Sequence, residues 1–184
     1  MSHPRHCNRN VWHSALVAVA AFLLALSTGT LHAETACRDL SSRISICEVG
    51  SGWTSTVEPA RRSIVGTFER EGINAQINSI SRDSWETVTQ ETIRADQVDR
   101  LKRLYGDQAN PIAVETTTID GRDAETTVVA VSVRDQNIVY GFTVVIEGRL
   151  VVRVDTFDSG TEYTPTHRAY LADLLSAIRI KEAQ

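Results

Sequence analysis

The most constraining feature of this sequence is an alternation of apolar and polar residues in short segments separated by turn signals. The clearest segment runs from Ile73 to Asn78, where the alternation is unbroken. A period of two is typical of a strand with one buried and one wet face. Asp120-Gly121 is the strongest turn signal, because this dipeptide favours a two-residue hairpin. The pattern therefore predicts an antiparallel sheet.

The registers of the hairpins are predicted by matching the apolar residues of neighbouring strands. The predicted pairs are Phe68 with Ile73, Ile64 with Ile77, Ile112 with Val129, Val114 with Thr127, Val133 with Ile138, Val131 with Tyr140, Val129 with Phe142, Ile146 with Leu150 and Phe142 with Val154. These pairs put the large apolar residues on one face, which a one-residue slip would undo. The other face is predicted to be open to water or a partner. Its members are Asn74, Gln76, Asn78, Glu115, Thr117, Ala130, Ser132, Thr143, Arg153 and Asp155.

Two segments show helical spacing. In residues 84–106, Asp83 or Ser84 can cap the start and Gly106 can end the helix. The second helix is predicted to begin at the cap Thr164, with Pro165 as its first residue. Its apolar stripe consists of Tyr170, Leu171, Leu174, Leu175 and Ile178. The prediction is an α+β fold, with an antiparallel sheet of about six to seven strands (hairpin, helix, four-strand meander) and both helices packed on one face.

The N-terminal segment resembles an export signal. Residues 1–33 contain arginines but no acid, and the apolar run from Ala15 to Leu26 is followed by small residues. A membrane-spanning helix needs about 20 apolar residues, so this run is too short. We expect a signal peptide over residues 1–33, cleaved after Ala33, followed by a single domain over residues 34–184. The location would then be periplasmic or secreted, with no stable membrane span; an uncleaved anchor is the alternative.

Two of the three cysteines follow the predicted signal peptide. Cys37 and Cys47 form an even pair in an exported chain, which favours a disulfide. Lipidation of Cys37 is the alternative, although Glu34 occupies a position where lipoprotein signals usually carry Leu. Two cysteines ten residues apart without a nearby histidine lack a full set of metal ligands. We therefore predict neither a metal nor a cofactor.

The composition of the chain argues against several classes of function. The net charge of −4 leaves no broad cationic surface for nucleic acid. His167 is the only histidine after residue 33, so pairs of histidine ligands are excluded from that part. We interpret His167 as a helix-end residue, and the acids Asp155, Asp158 and Glu162 as solvated. No catalytic residue is predicted, and the expectation is that the protein is not an enzyme.

A few residues stand out as candidates for binding. Trp53, beside Gly52, can lie over a cleft and recognise a ligand, or it can close one end of the core. Arg61 and Arg62 form a small basic spot suited to an acidic partner. The full set of candidate binding residues is Trp53, Arg61, Arg62, Arg153, Asp155 and Asp158.

The order of elements, with three local sequences, resembles the PsbP-like and DcrB-like superfamily. Those sequences are the run Tyr140 to Val145, the turn Glu147 to Val152, and the closing helix Tyr170 to Ile180. The similarity covers about residues 50–181 in topology. It implies a twisted antiparallel sheet packed by helices and a non-catalytic role in assembly, docking or accessory work. It supplies no catalytic set, and the Cys37–Cys47 pair is not a feature of the resemblance.

These observations favour an exported, non-catalytic accessory or binding protein of the bacterial cell envelope. The expected partner is an envelope protein that docks on the polar sheet face and the loops. A periplasmic carrier that holds a small ligand between a helix and the sheet is the alternative. A small carboxylate-dependent hydrolase is the less favoured one.

Overall fold

Ten strands and two helices make up the part of the chain that the structure describes. This computed structural model describes residues 36–48, 52–55, 63–82, 88–107, 109–133 and 135–182. The predicted signal peptide lies outside these residues. The elements are β1 (Arg38–Asp39), β2 (Ile44–Ile46), β3 (Thr54–Ser55), β4 (Ile64–Arg70), β5 (Ile73–Ser81), α1 (Gln90–Tyr105), β6 (Asn110–Ile119), β7 (Arg122–Val133), β8 (Gln136–Glu147), β9 (Leu150–Ser159), α2 (Pro165–Ala177) and β10 (Ile178–Ile180).

The strands form a seven-stranded sheet and a three-stranded sheet. The larger has the order β3-β4-β5-β9-β8-β7-β6, and every neighbouring pair in it is antiparallel. The smaller has the order β1-β2-β10. The predicted hairpin, helix and four-strand meander all occur, and β9 joins the meander to β5. The α+β prediction is therefore confirmed.

Tight turns shift two of the predicted registers by two residues. Glu71 and Gly72 both have positive φ, 49° and 84°, as a two-residue hairpin turn requires. Phe68 therefore pairs with Ala75 instead of Ile73. At the β7–β8 turn, Val133 pairs with Gln136, Val131 with Ile138 and Val129 with Tyr140. The predicted pairs there were wrong, but an even shift leaves each side chain on its predicted face.

The β8–β9 turn changes the sheet face on which each side chain of β9 lies. The sequence predicted a three-residue loop, whereas the turn contains only Gly148 and Arg149, and Glu147 pairs with Leu150. Gly148 has a φ of 59°, which glycine adopts readily. Phe142 consequently pairs with Asp155 and not with Val154. This one-residue difference turns the whole of β9 over relative to the prediction.

Two irregularities in strand pairing also correct the prediction. The β4–β5 register shifts between Ile64 and Gly66, so Ile64 lies opposite Asn78 instead of Ile77. The β6–β7 register shifts between Pro111 and Ala113, so Ile112 is not opposite Val129. The predicted pair of Val114 with Thr127 is confirmed. A bulge turns side chains on one side of it to the other face.

The two helices pack on opposite faces of the large sheet, so the prediction that both cover one face was wrong. Leu171 and Leu174 of α2 share a core with Val152, whereas Val98 of α1 shares a core with Val151. Consecutive residues of a strand point to opposite faces, which places the two cores on opposite sides. We call them the α1 face and the α2 face. The fold is therefore three-layered, with the sheet between the helices.

Local signals set the ends of the helices. Thr89 caps α1 and exchanges hydrogen bonds with Thr92, and Gly106 ends the helix as predicted. The predicted caps Asp83 and Ser84 lie outside the described residues. Thr164 caps α2 ahead of Pro165, also as predicted.

The predicted disulfide joins Cys37, just before β1, to Cys47, just after β2. Because the sulfur of Cys37 is bonded to that of Cys47, it cannot also carry a lipid. Ile44, Ile46, Ile178 and Ile180 of the small sheet extend the core of the α2 face. Within the described residues, no helix has the length and apolar character needed to span a membrane.

Candidate functional site

A polar cleft of about 370 Å³ opens between the C-terminal half of α1 and the large sheet. We call it the α1 cleft. The helix contributes Gln97, Arg100, Leu101, Leu104 and Tyr105. The sheet side contributes Ser63, Ile64, Gln76, Asn78, Tyr140, Arg153, Asp155 and Phe157. The sheet residues come from both the hairpin and the meander, because β9 pairs with β5 on one side and β8 on the other.

Asp155 lies at the centre of the sheet wall and is 3% exposed. Its Oδ1 accepts a hydrogen bond of 2.8 Å from the Tyr140 hydroxyl. Its Oδ2 accepts bonds of 2.9 Å from Asn78 Nδ2 and 2.9 Å from Arg153 Nη2. Arg153 Nε also lies 2.8 Å from Oδ1, which makes the ion pair bidentate. A buried carboxylate is tolerated when it is paired and hydrogen-bonded in this way.

The electrostatics of the network keep Tyr140 and Arg153 in fixed protonation states. Burial, together with the nearby Asp155 carboxylate, raises the pKa of the Tyr140 hydroxyl well above its ordinary value of 10.0. That hydroxyl therefore stays protonated and donates to Asp155. Burial alone would lower the pKa of Arg153, but its interactions with Asp155 raise it on balance. The guanidinium is thus a permanent cation at the wall of the cleft.

Several polar side chains around the cleft are not committed to other residues. Gln76, Gln97, Arg100 and Tyr105 line the space, and none makes a side-chain hydrogen bond to another residue of the described part. Arg153 uses Nε and Nη2 for Asp155, which leaves Nη1 without a described partner. Convergent polar groups with unused capacity on partly apolar walls are characteristic of ligand sites.

The other sequence-predicted binding residues lie elsewhere. Trp53 is half-buried and packs against the core of the α2 face, and its Nε1 is buried without a described hydrogen-bond partner. Asp158 projects toward α2, on the opposite face of β9 from Asp155. Arg61 and Arg62 lie outside the described residues. Of the six candidates, the structure brings together Arg153 and Asp155.

The predicted polar face is divided between the two sides of the sheet. Gln76, Asn78, Arg153 and Asp155 share the α1 face, whereas Thr143 pairs with Val154 on the α2 face. Asn78 and Asp155 are also buried rather than open to water. The expectation of one wet face was therefore wrong, because the turn at Gly148 reverses β9 relative to the prediction.

His167 belongs to a second polar cluster, on the α2 face. It is completely buried, its Nε2 lies 3.0 Å from Thr156 Oγ1, and its Nδ1 lies 3.5 Å from Asp158 Oδ2. The Tyr163 ring and the imidazole pack edge to face, with ring centroids 5.1 Å apart. Threonine, histidine and aspartate in this order resemble a nucleophilic triad. Thr156 is also completely buried, however, so no substrate can reach its hydroxyl. The cluster joins α2 to β9.

Tyr140, Arg100 and Gln97 are functional candidates that the sequence reasoning did not select. Tyr140 is an apolar-face residue in an alternating strand, and its hydroxyl becomes relevant only because Asp155 pairs on the same face. Arg100 and Gln97 lie on one side of a helix whose position over the sheet the sequence did not specify. The described residues contain no group of three side chains suited to hold a metal ion.

Comparisons with known proteins agree with the fold. No protein-family model matches the chain, and no curated protein matches it. The solution structure of cyanobacterial PsbP from Synechocystis sp. PCC 6803 superposes with a TM-score of 0.55 at 14% identity, covering 74% of this chain and 86% of that protein. The chain thus has a PsbP-like α+β fold, and the resemblance predicted from the sequence is confirmed at the level of fold.

Two further structures show weaker similarity. A protein from Bacteroides thetaiotaomicron superposes with a TM-score of 0.48 at 8% identity, covering 76% of this chain and 45% of that one. LpqN of Mycobacterium tuberculosis, described as involved in cell envelope biogenesis, gives a TM-score of 0.43 at 13% identity, with 81% and 91% covered.

Proposed function

We propose that this protein is an exported, non-catalytic binding protein and that the α1 cleft is its binding site. The observation that carries the proposal is the position of Arg153, a guanidinium held by Asp155 in the wall of a cleft of about 370 Å³. A pre-positioned charge beside uncommitted amides and apolar side chains is how small-ligand sites gain orientation and affinity. The Cys37–Cys47 disulfide supports export, because such bonds persist in oxidising compartments.

The non-catalytic part of the proposal rests on how the reactive groups are used. Asp155 accepts bonds from three side chains, and Tyr140 holds its proton firmly. A general acid or base needs a pKa near the working pH and access to the substrate. His167 has the right ordinary pKa, but it is sealed between α2 and the sheet.

Native mass spectrometry of the full chain, purified gently from its own cell envelope, tests the proposal. We expect a retained small mass that is lost in Leu104→Asp, which places a charge at the cleft, and kept in Val114→Asp. These residues make a matched pair, because Leu104 is 61% and Val114 50% exposed and only Leu104 lines the cleft. A ligand that both variants retain would show that the binding site lies elsewhere.

Docking of an envelope protein is a second candidate function, and the edge strand β6 favours it. This ten-residue strand is the last of the seven-stranded sheet, and it exposes Ile112 and Val114 to about half. Unpaired edge strands with apolar side chains can accept an extended segment of another protein. The partner would then be an extended envelope-protein segment with apolar residues at alternate positions.

Photo-crosslinking in cells separates the two candidates. A crosslinker at position 114 should capture one protein in near-stoichiometric amount if β6 docks a partner. A crosslinker at position 104 serves as the comparison, because it reports on the α1 cleft instead. Absence of a protein adduct at position 114 would remove the docking proposal and leave the cleft proposal intact.

A further inference from the structure

We infer that the α1 cleft takes a small amphipathic carboxylate, whose anionic group pairs with Arg153 and Arg100 and whose apolar part lies along Leu104 and Phe157. The inference rests on the proposed binding function and adds the chemical class of the ligand.

The ionic side chains in the lining are unbalanced toward positive charge. Two of them are guanidiniums, Arg100 and Arg153, and one is a carboxylate, Asp155, so the lining carries one net positive charge. This cleft is therefore cationic in a chain whose net charge is −4. Asp155 is already saturated by its three donors, whereas Arg100 has no described ion-pair partner. An anion is the ligand that this imbalance favours.

Arg153 retains donors for a second carboxylate. Asp155 binds Nε and Nη2 and so holds the guanidinium in place, whereas Nη1 remains unused among the described residues. Guanidinium groups bind carboxylates with paired N–H donors, and a fixed guanidinium loses little entropy when it does so. Arg100 lies near enough to affect the Tyr140 hydroxyl electrostatically, which places its charge close to the same wall.

A neighbouring acid does not cancel this preference. Asp96 and Arg82 line a smaller cavity of about 80 Å³, to which Arg153 also contributes. One acid and one base offset each other there, and neither lines the α1 cleft.

The remaining walls indicate that the ligand also has an apolar part. Leu104 is the most exposed of the large hydrophobic side chains in the described residues, at 61%, and it lies at this cleft. Phe157 stacks at a tilt on Tyr140, with ring centroids 4.9 Å apart, and contributes an aromatic surface. A cleft of about 370 Å³ is at the small end of the range for ligand pockets, so the ligand is compact.

Three probes of nearly equal shape test the inference by titration calorimetry on the full chain. They are phenylbutyrate, phenylbutanol and phenylbutylamine, which carry a negative, a neutral and a positive head group. We expect phenylbutyrate to bind at least about tenfold more tightly than the other two, because it alone forms charge-assisted bonds with the guanidiniums.

Two arginine variants provide the matched control. Arg100→Gln should weaken phenylbutyrate about tenfold, and the wild-type affinity should also fall with added salt, as expected for an exposed charge. Arg103→Gln removes the same charge from the same helix at an exposed position outside the cleft, and it should leave the affinity unchanged. Both sites are exposed, so neither variant is expected to disturb folding.

The possible outcomes test the class of ligand and the location of the binding site separately. Equal affinity for the three probes, or unchanged binding in Arg100→Gln, overturns the carboxylate inference. If no probe binds but the purified protein still carries a mass that Leu104→Asp removes, the ligand class is wrong and the binding site stands. If no probe binds and no such mass is found, both proposals fail.

Discussion

The two faces of the central sheet each bury a polar cluster, but they seal it to different degrees. On the α1 face, Arg153 and Asp155 form an ion pair at the wall of an open cleft. On the α2 face, His167 is completely enclosed beside Thr156. Both clusters use side chains of β9, since residues 153 and 155 point one way and residues 156 and 158 the other.

The difference shows that burial and reactivity are separate properties. The α2-face cluster has the residue types of a catalytic triad, yet its enclosure makes it a connection between helix and sheet. The α1-face cluster lacks that set of residue types, yet its guanidinium lines a cleft that a ligand can enter. Access to the solvent therefore decides which cluster can act on another molecule.

The largest expected effect comes from breaking the ion pair on the α1 face. Arg153→Leu leaves Asp155 buried without its cation, and we expect the free energy of unfolding to fall by about 3–5 kcal/mol. Urea denaturation measures this change. Adding Asp155→Asn should restore part of the lost stability, because no unpaired charge then remains.

Lys181→Ala is the control for that measurement. The ion pair of Lys181 with Asp39 is exposed, with side-chain exposures of 42% and 67%. Removing it should therefore lower the free energy of unfolding by about 0–1 kcal/mol. If Arg153→Leu destabilises the protein no more than this control, the network around Asp155 does not stabilise the fold.

The disulfide provides the next test, because it constrains the small sheet that extends the α2-face core. Replacing both Cys37 and Cys47 by Ser reopens a loop with a sequence separation of ten residues. We expect a loss of about 2–3 kcal/mol, from the greater entropy of the unfolded chain. Phenylbutyrate affinity below the unfolding transition should not change. A large change in affinity would mean that the two faces are coupled.

A glycine on the α2 face gives a smaller effect. A Cβ on Gly141 would lie 2.6 Å from Thr156 Oγ1, so Gly141→Ala requires one of them to move. We expect a loss of about 1–3 kcal/mol, typical of overpacking. In a double-mutant cycle with Thr156→Ala, the combined loss should be smaller than the sum of the single losses. Strict additivity would contradict a direct clash.

The smallest expected effect is a pH dependence specific to the α2 face. Burial lowers the pKa of His167 below 6.5, and the nearby Asp158 offsets part of that shift. A lowered pKa in the folded state means that protonation favours unfolding. This contribution to stability is complete above pH 6.5 and is lost as the pH falls toward the folded-state pKa.

The pH effect is measured by urea denaturation of wild type and His167→Gln between about pH 5 and 7. The wild-type protein should lose stability on acidification, and the variant should lose less. Tyr163 and Thr156, the other groups that face the imidazole, do not change charge in this range. If the free energy of unfolding falls equally steeply with decreasing pH in both proteins, His167 is not a buried, neutral imidazole.

The sequence alone determined the local elements and several of their ends. Unbroken alternation marked β5, Thr164-Pro165 marked the start of α2, and Asp120-Gly121 marked the β6–β7 turn. The even cysteine pair predicted the disulfide. These signals are readable because they act within a few residues, through backbone geometry, capping and loop closure.

Only the tertiary structure decided which face each residue of β9 occupies, and with it the site. Leu150, Val151 and Val152 are buried in succession, because helices cover both faces of this strand. A strand that is apolar on both faces carries no alternation from which a register can be read. A turn shorter by one residue than expected was then enough to put Asp155 beside Tyr140 and to send Asp158 to the opposite face. Sequence patterns report local geometry, whereas register depends on contacts between distant segments, and the α1 cleft consists of such contacts.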